Sequence, residues 1–131
     1  MEAIFKNICL IIEMSVGIDK DTIKLEDTLF DGLGIDSIDF VDILYELENY
    51  YDVELKVSDI EAKIKFELGD VPYEVDGLLT KEGLEAILLY MPEIDAENVK
   101  EGLSVYNLVK LFSVHSLCNM VVYRLESIKN D

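Results

Sequence analysis

Apolar residues along this chain recur mostly at intervals of three and four, with little strict alternation, so the pattern predicts helices rather than strands. A first helix is expected from about Glu2 to Ser15, with Ile4, Ile8, Ile11 and Ile12 on one stripe. A long loop follows from Gly17 to Ile35, punctuated by Gly17, Gly32 and Gly34. Asp36 then stands where an N-cap belongs, and a second helix is expected from Ser37 to about Tyr50. Its apolar positions are Phe40, Val41, Leu44 and Leu47, which leaves Asp39, Asp42 and Glu46 on another face. Asp52-Val53 ends it.

The following segment is less regular. Ser58 is a candidate cap for a short helix through Phe66, and Gly69 to Gly77 reads as a loop. Thr80 should cap a helix to about Met91, with Leu84, Ile87, Leu88 and Met91 buried, and Pro92 stops it. Asp95 and Ser104 are caps for short turns or helices reaching Glu101 and Phe112. Ser113 or Ser116 opens a last helix carrying Leu117, Met120, Val121 and Leu125 to near Lys129. The fold class that follows is all-α, with five to seven helices around one core.

Composition adds the scale and the exclusions. The 131 residues are an ordinary length for one domain, and 50% are hydrophobic, enough for a real core. Asp and Glu number 28 against 11 Lys and Arg, a formal charge of −17. Nucleic acids and anionic membranes both require a basic face, so neither is an expected partner. No run approaches the length of a membrane span, and the apolar stretch Ile8 to Ile12 lacks a basic flank that would make it a leader. A cytoplasmic location is expected. Two cysteines and one histidine leave little for a zinc site or a disulfide framework. Cys9 and Cys118 fall on apolar stretches and read as buried thiols, and His115 reads as a surface or capping residue. No Ser-His-acid set can be assembled, so no catalytic residue and no metal ligand is assigned.

The charge is concentrated. From Leu25 to Leu55 there is no Lys or Arg, while Glu26, Asp27, Asp31, Asp36, Asp39, Asp42, Glu46, Glu48, Asp52 and Glu54 all fall there. Such a block is either a solvated surface or a docking face for a cationic partner. The acids alone do not choose between the two.

The most informative stretch runs from Asp27 to Leu44. It is a glycine-bearing loop that delivers Ser37 to the first turn of an amphipathic helix, where free N–H groups and the helix dipole favour a phosphate. Gly34 permits a tight turn, Leu33, Ile35 and Ile38 are expected to anchor the loop on the core, and Asp36 caps. The run Leu33-Gly34-Ile35-Asp36-Ser37-Ile38, preceded by Leu29-Phe30 and followed by Val41 and Leu44, resembles the attachment site of the acyl carrier proteins. The helix continues as Tyr45-Glu46-Leu47-Glu48, similar to that family's usual ending.

The resemblance implies a four-helix bundle and a non-enzymatic carrier. It implies that Ser37, beside Asp36, bears 4′-phosphopantetheine, whose thiol carries acyl groups as thioesters in fatty-acid, specialised-lipid or polyketide synthesis. It further implies that Asp39, Asp42 and Glu46 face partner enzymes. Those partners would be phosphopantetheinyl transferase and acyl-loading and acyl-transfer enzymes with basic docking patches, acting on a monomeric carrier. Electrostatic docking of that kind speeds encounter more than it tightens binding, which suits a shuttle.

The likeness covers about residues 2–65 and resumes at Ser113-Val114-His115-Ser116-Leu117, which resembles the start of the family's last helix. Residues from about 66 to 112 are then an internal helical insertion in one domain of 131 residues. Pro92 to Glu97 is either the family's short third helix displaced or part of that insertion. The insertion would serve as an elaborated cap, as a cover for an acyl-chain cavity, or as a selector of a dedicated partner. Two rival readings are weaker. A non-modified acidic adaptor would be expected to lose the serine, which this chain keeps. Asp76-Gly77-Leu78-Leu79-Thr80 resembles the middle of a calcium-binding loop, but that register puts Pro72 and Gly83 where essential carboxylates belong.

Overall fold

The computed structural model describes residues 1–129. Among them, helices and one hairpin follow in the order α1 (Glu2–Val16), α2 (Ser37–Tyr51), α3 (Val57–Leu68), β1 (Glu74–Val75), β2 (Leu78–Leu79), α4 (Lys81–Tyr90), α5 (Val105–Leu108) and α6 (Val114–Lys129). The all-α class expected from the periodicity holds, with a single two-stranded antiparallel ribbon as the exception. The residues group into two compact units rather than around one centre. One contains Met1–Leu55 and the residues from Phe112 onward, the other is the contiguous stretch Lys56–Leu111.

In the first unit α1 packs on α2 and α6, and α2 also meets α6. The buried stripes are Ile8, Cys9 and Ile12 on α1, Phe40, Ile43 and Leu47 on α2, and Leu117, Cys118 and Val121 on α6. Each large aliphatic side chain fully removed from water contributes roughly 1.5–3 kcal/mol, so these positions dominate the unit's stability. Within the expected stripe of α2 the structure differs at Val41. Val41 is 62% exposed, and Ile43, two residues on and on the opposite side of the helix, takes the buried place. Glycine at 17 and aspartate at 52, with φ of 77° and 54°, close α1 and α2 in the left-handed conformation.

The long loop between α1 and α2 is strapped to the start of α6. Leu29 N–H donates to the Phe112 carbonyl at 3.0 Å, Val114 N–H to Asp27 at 2.9 Å, and His115 N–H to Leu25 at 2.9 Å. Thr28 and Ser113 form the antiparallel bridge at its centre. Of the two serines expected to open α6, Ser113 is the cap. Its hydroxyl accepts from the Ser116 amide at 3.3 Å and the Ser116 hydroxyl accepts from the Ser113 amide at 3.0 Å, a reciprocal pair that satisfies two buried donors.

In the second unit α3 packs on α4. The expected Ser58 cap is not used: α3 starts earlier, at Val57, after an extended Lys56 that offers no side-chain cap. Lys56 instead accepts the Asp59 amide on its carbonyl at 3.0 Å. The expected loop from Gly69 to Gly77 holds the first strand of the hairpin. Asp76 and Gly77, with φ of 53° and 85°, form its two-residue turn, the geometry that Asp-Gly favours between paired strands. Their role in a tight turn accounts for the pair that resembled a calcium loop. Thr80 caps α4 as expected, accepting the Gly83 amide at 3.0 Å. Gly83 also lies directly against the Tyr73 carbonyl, where a Cβ would collide. That approach fixes the rotation of α4, burying Gly83, Ala86 and Ile87 and leaving Leu88 exposed, contrary to its expected place in the core. Asp95 and Ser104 cap as expected, the latter accepting the Asn107 amide at 2.9 Å. The expected insertion from about 66 to 112 falls almost wholly in this unit, which starts at Lys56 because α3 pairs with α4.

Candidate functional site

Ser37 is the first residue of α2 and is solvent-exposed. Its position is built by the preceding loop. Leu33 N–H donates to the Thr28 carbonyl at 2.9 Å and Ile35 N–H to the Leu29 carbonyl at 3.0 Å, while Leu29 and Ile35 are buried. Gly34 turns the chain with φ 71°, a conformation that costs other residues strain. Phe30 packs against Phe40 of α2 with ring centroids 5.4 Å apart, holding the loop to the helix it feeds. Ile38 was expected to anchor the loop too. It is 72% exposed, because the buried face of α2 runs through Phe40, Ile43 and Leu47 and Ile38 lies on the far side.

Asp36 is the N-cap, with extended backbone and a carboxylate that accepts the Asp39 amide at 2.7 Å. The first helical hydrogen bond is donated by Phe40 to the Asp36 carbonyl, so the amides of Ser37 and Ile38 precede the ladder at the positive end of the dipole. A phosphodiester on the serine oxygen fits this arrangement: the hydroxyl is accessible, and the nearest backbone polarity suits an anion.

The three acids singled out in sequence lie along one side of α2, Asp39 partly exposed and Asp42 and Glu46 exposed. Loss of solvent and the neighbouring carboxylate of Asp36 raise Asp39 above the ordinary aspartate value of 3.8, and Asp42 adds to the repulsion. Beside the acids runs a second stripe that the sequence reading missed: Ile38, Val41 and Tyr45 are 72%, 62% and 59% exposed. The signal was present, since these positions recur at three and four as the buried ones do.

The thiols are structural. Cys9 and Cys118 are both buried and free. Burial pushes the Cys118 thiol up to about 11, with Cys9 nearby adding to the effect, and burial likewise raises Cys9. His115 is half-buried, with its amide engaged in the strap to Leu25. Among the described residues no group of His, Cys, Asp and Glu is arranged to hold a metal ion, and no helix is long and apolar enough to cross a membrane.

The family model for the phosphopantetheine attachment site matches residues 8–64, which include the loop, Ser37, all of α2 and the first part of α3. The acyl carrier protein of Campylobacter lari is 35% identical over 65 residues, 50% of this chain and 84% of that protein. That of Campylobacter jejuni subsp. doylei is 36% identical over 76 residues, 58% of this chain and 96% of that protein.

The chain belongs to the acyl carrier protein family.

The acyl carrier protein of Chlorobium phaeovibrioides is similar as well, 38% identical over 71 residues, 54% of this chain and 85% of that protein. Like its family, the chain is a carrier rather than an enzyme, and its cofactor is covalent 4′-phosphopantetheine. Membership implies dealings with phosphopantetheinyl transferase and acyl-handling enzymes. The family model ends inside α3, so the first part of α3 belongs to the carrier-like sequence, whereas Pro92 to Glu97 lies beyond the match.

Proposed function

We propose that Ser37 is the attachment residue, its hydroxyl joined through a phosphodiester to 4′-phosphopantetheine, and that the thiol of that arm carries acyl groups as thioesters between biosynthetic enzymes. The observation that carries this reading is the placement of an exposed serine as the first residue of α2, directly after the Gly34 turn and the Asp36 cap. Asp36 orders the first turn so that the serine oxygen stands clear of the helix. Asp39, Asp42 and Glu46 then form the face presented to basic patches on the transferase and on acyl-loading and acyl-transfer enzymes. The exposed row Ile38, Val41 and Tyr45 adds apolar contact beside that charge. Fatty-acid, specialised-lipid or polyketide synthesis in the cytoplasm, with the carrier acting as a monomer, is the setting consistent with this role.

On this reading the carrier domain is interrupted by an insertion of about residues 66–112. The end of the family match at residue 64 supports it, as does the resemblance of Ser113-Val114-His115-Ser116-Leu117, where α6 begins, to the start of the family's last helix.

The test is intact-mass measurement after incubation with coenzyme A, Mg²⁺ and a broad-specificity phosphopantetheinyl transferase. Wild type should gain one phosphopantetheine and Ser37→Ala none, with both folded alike by circular dichroism. A wild type that stays unmodified with several competent transferases overturns the assignment.

A further inference from the structure

One feature of the first unit lies outside the attachment chemistry. Between the second half of α1 and the middle of α2 is a solvent-open groove of about 300 Å³, lined by Ile11, Met14, Ser15, Asp42, Tyr45 and Glu46. Its composition is specific: α1 supplies two apolar side chains and the Ser15 hydroxyl, and α2 supplies one aromatic ring and two carboxylates. Met14 is 77% exposed and Tyr45 59% exposed, so two large apolar groups stand unshielded on opposite banks. Leaving both in water is unfavourable, and covering them would recover hydrophobic free energy.

We propose that this groove is a docking socket for one apolar side chain carried on a basic amphipathic helix of a partner protein, with Lys or Arg of that helix reaching Asp42 and Glu46. The proposal rests on the carrier reading and deepens it, by adding a socket walled by α1 to the acidic face of α2. Charge selects the occupant. The groove lies within the base-free block Leu25 to Leu55 on its α2 side, and the whole chain carries −17. A second copy would bring the same acids to the same place and be repelled. An acyl chain gains nothing from carboxylates at its rim. A cationic helix satisfies both banks: its apolar anchor sits between Met14 and Tyr45, and its flanking charges neutralise Asp42 and Glu46. The socket also separates the three acids by role, since Asp42 and Glu46 line it and Asp39, engaged with the Asp36 cap, does not.

The test uses the full chain, isotope-labelled, and three synthetic peptides. One is a short helical peptide with two Leu a turn apart flanked by Arg, the second a scramble of it that breaks the apolar face, the third the same peptide with Glu for Arg. The first should shift the amide signals of Ile11, Met14, Ser15, Asp42, Tyr45 and Glu46, and the other two should not. Met14→Ser, and separately the pair Asp42→Asn with Glu46→Gln, should each weaken binding by about tenfold. The charge-matched pair Glu26→Gln with Asp31→Asn, which lies off the groove, should change it little. Equal losses from the two charge pairs, equal binding of the scramble, or no effect of Met14→Ser would overturn the socket in favour of diffuse attraction. Concentration-dependent dimerisation that Met14→Ser abolishes would overturn it in favour of a second copy. Phosphopantetheine uptake by the wild type is read on the same preparation. A protein that takes up the group but ignores the peptide loses the socket and keeps the carrier assignment, whereas one that does not take it up loses the assignment.

Discussion

The amide of Gly32 donates to the Thr28 hydroxyl at 2.8 Å, and a Cβ placed on Gly32 would stand 2.8 Å from both that hydroxyl and the Thr28 carbonyl oxygen. Thr28 is itself held by its bridge to Ser113, so its backbone has little room to yield. Gly32→Ala is therefore expected to destabilise the protein by about 1–3 kcal/mol, the usual range for a forced shift in a packed site. Gly34→Ala meets open space but keeps φ at 71°, and should cost only about 1 kcal/mol. Urea denaturation of the two variants beside wild type checks the ranking.

The Asp36 cap and its neighbour Asp39 give a paired prediction. Asp36→Ala removes the acceptor for the Asp39 amide and should cost about 1 kcal/mol, while Asp36→Asn keeps a capping oxygen and should cost less. Asp39 is raised above 3.8 in the fold, so its ionised form is disfavoured there relative to the unfolded chain. Its contribution to stability is present below 3.8 and is lost as pH rises through the folded value. Asp39→Asn should thus be the more stable protein near neutral pH, with the difference closing as pH falls below 3.8. Urea midpoints across a pH series read this directly; a constant difference would contradict it.

The two thiols should be silent in the native state. Cys118 is pushed up to about 11 from an ordinary 9.0, so its thiolate is scarce at pH 8 and the sulfur is inaccessible. A thiol reagent at pH 8 should label neither cysteine in native protein and both in urea. Because the folded value lies above the unfolded one, Cys118 supports stability below pH 9 and that support is lost as pH rises through about 11.

Tyr73 is 4% exposed, and its hydroxyl has no hydrogen-bond partner among the described residues. Burial, and then Glu61 and Glu74, push it up to about 12. Tyr73→Phe removes an unsatisfied buried group and should stabilise the fold by about 1 kcal/mol. The Tyr73 contribution is lost as pH rises from 10 through about 12, so the advantage of the variant should widen over that window. Thermal melts at neutral and alkaline pH make the comparison.

The helices and caps that rest on local chemistry were legible in the sequence. Asp36, Thr80, Asp95 and Ser104 each cap where a short polar side chain precedes an apolar rhythm. The rotation of α2 was not fully legible, because Phe40, Ile43 and Leu47 repeat with the same spacing as Ile38, Val41 and Tyr45, and periodicity alone cannot say which row faces inward. On α2 one of the two apolar rows is buried and the other exposed. The start of α3 was placed too late, behind a Ser58 cap, because the residue that precedes it, Lys56, makes no side-chain capping bond. The Asp76-Gly77 turn did leave one, since that pair between Val75 and Leu78 is a hairpin signal that the neighbouring acids disguised. The strap from Leu25, Asp27 and Leu29 to residues 112–115 had no local signature, being a pairing between segments remote in sequence. The placement of Ser37 as the exposed first residue of α2, by contrast, was readable because a loop, a cap and a helix start coincide there.

That strap has a consequence for how the molecule is made. The second unit is one uninterrupted stretch, so all its contacts become available as soon as Leu111 has been synthesised. The first unit is split, and the loop that positions Ser37 lacks its three backbone hydrogen bonds to Phe112, Val114 and His115 until those residues exist. During synthesis the residues that look like the family's core are thus the last to be finished, and a chain interrupted just before α6 would display its serine on an unsecured loop. Residues 56–111 thus separate, in order of synthesis, the appearance of the serine from the completion of its scaffold.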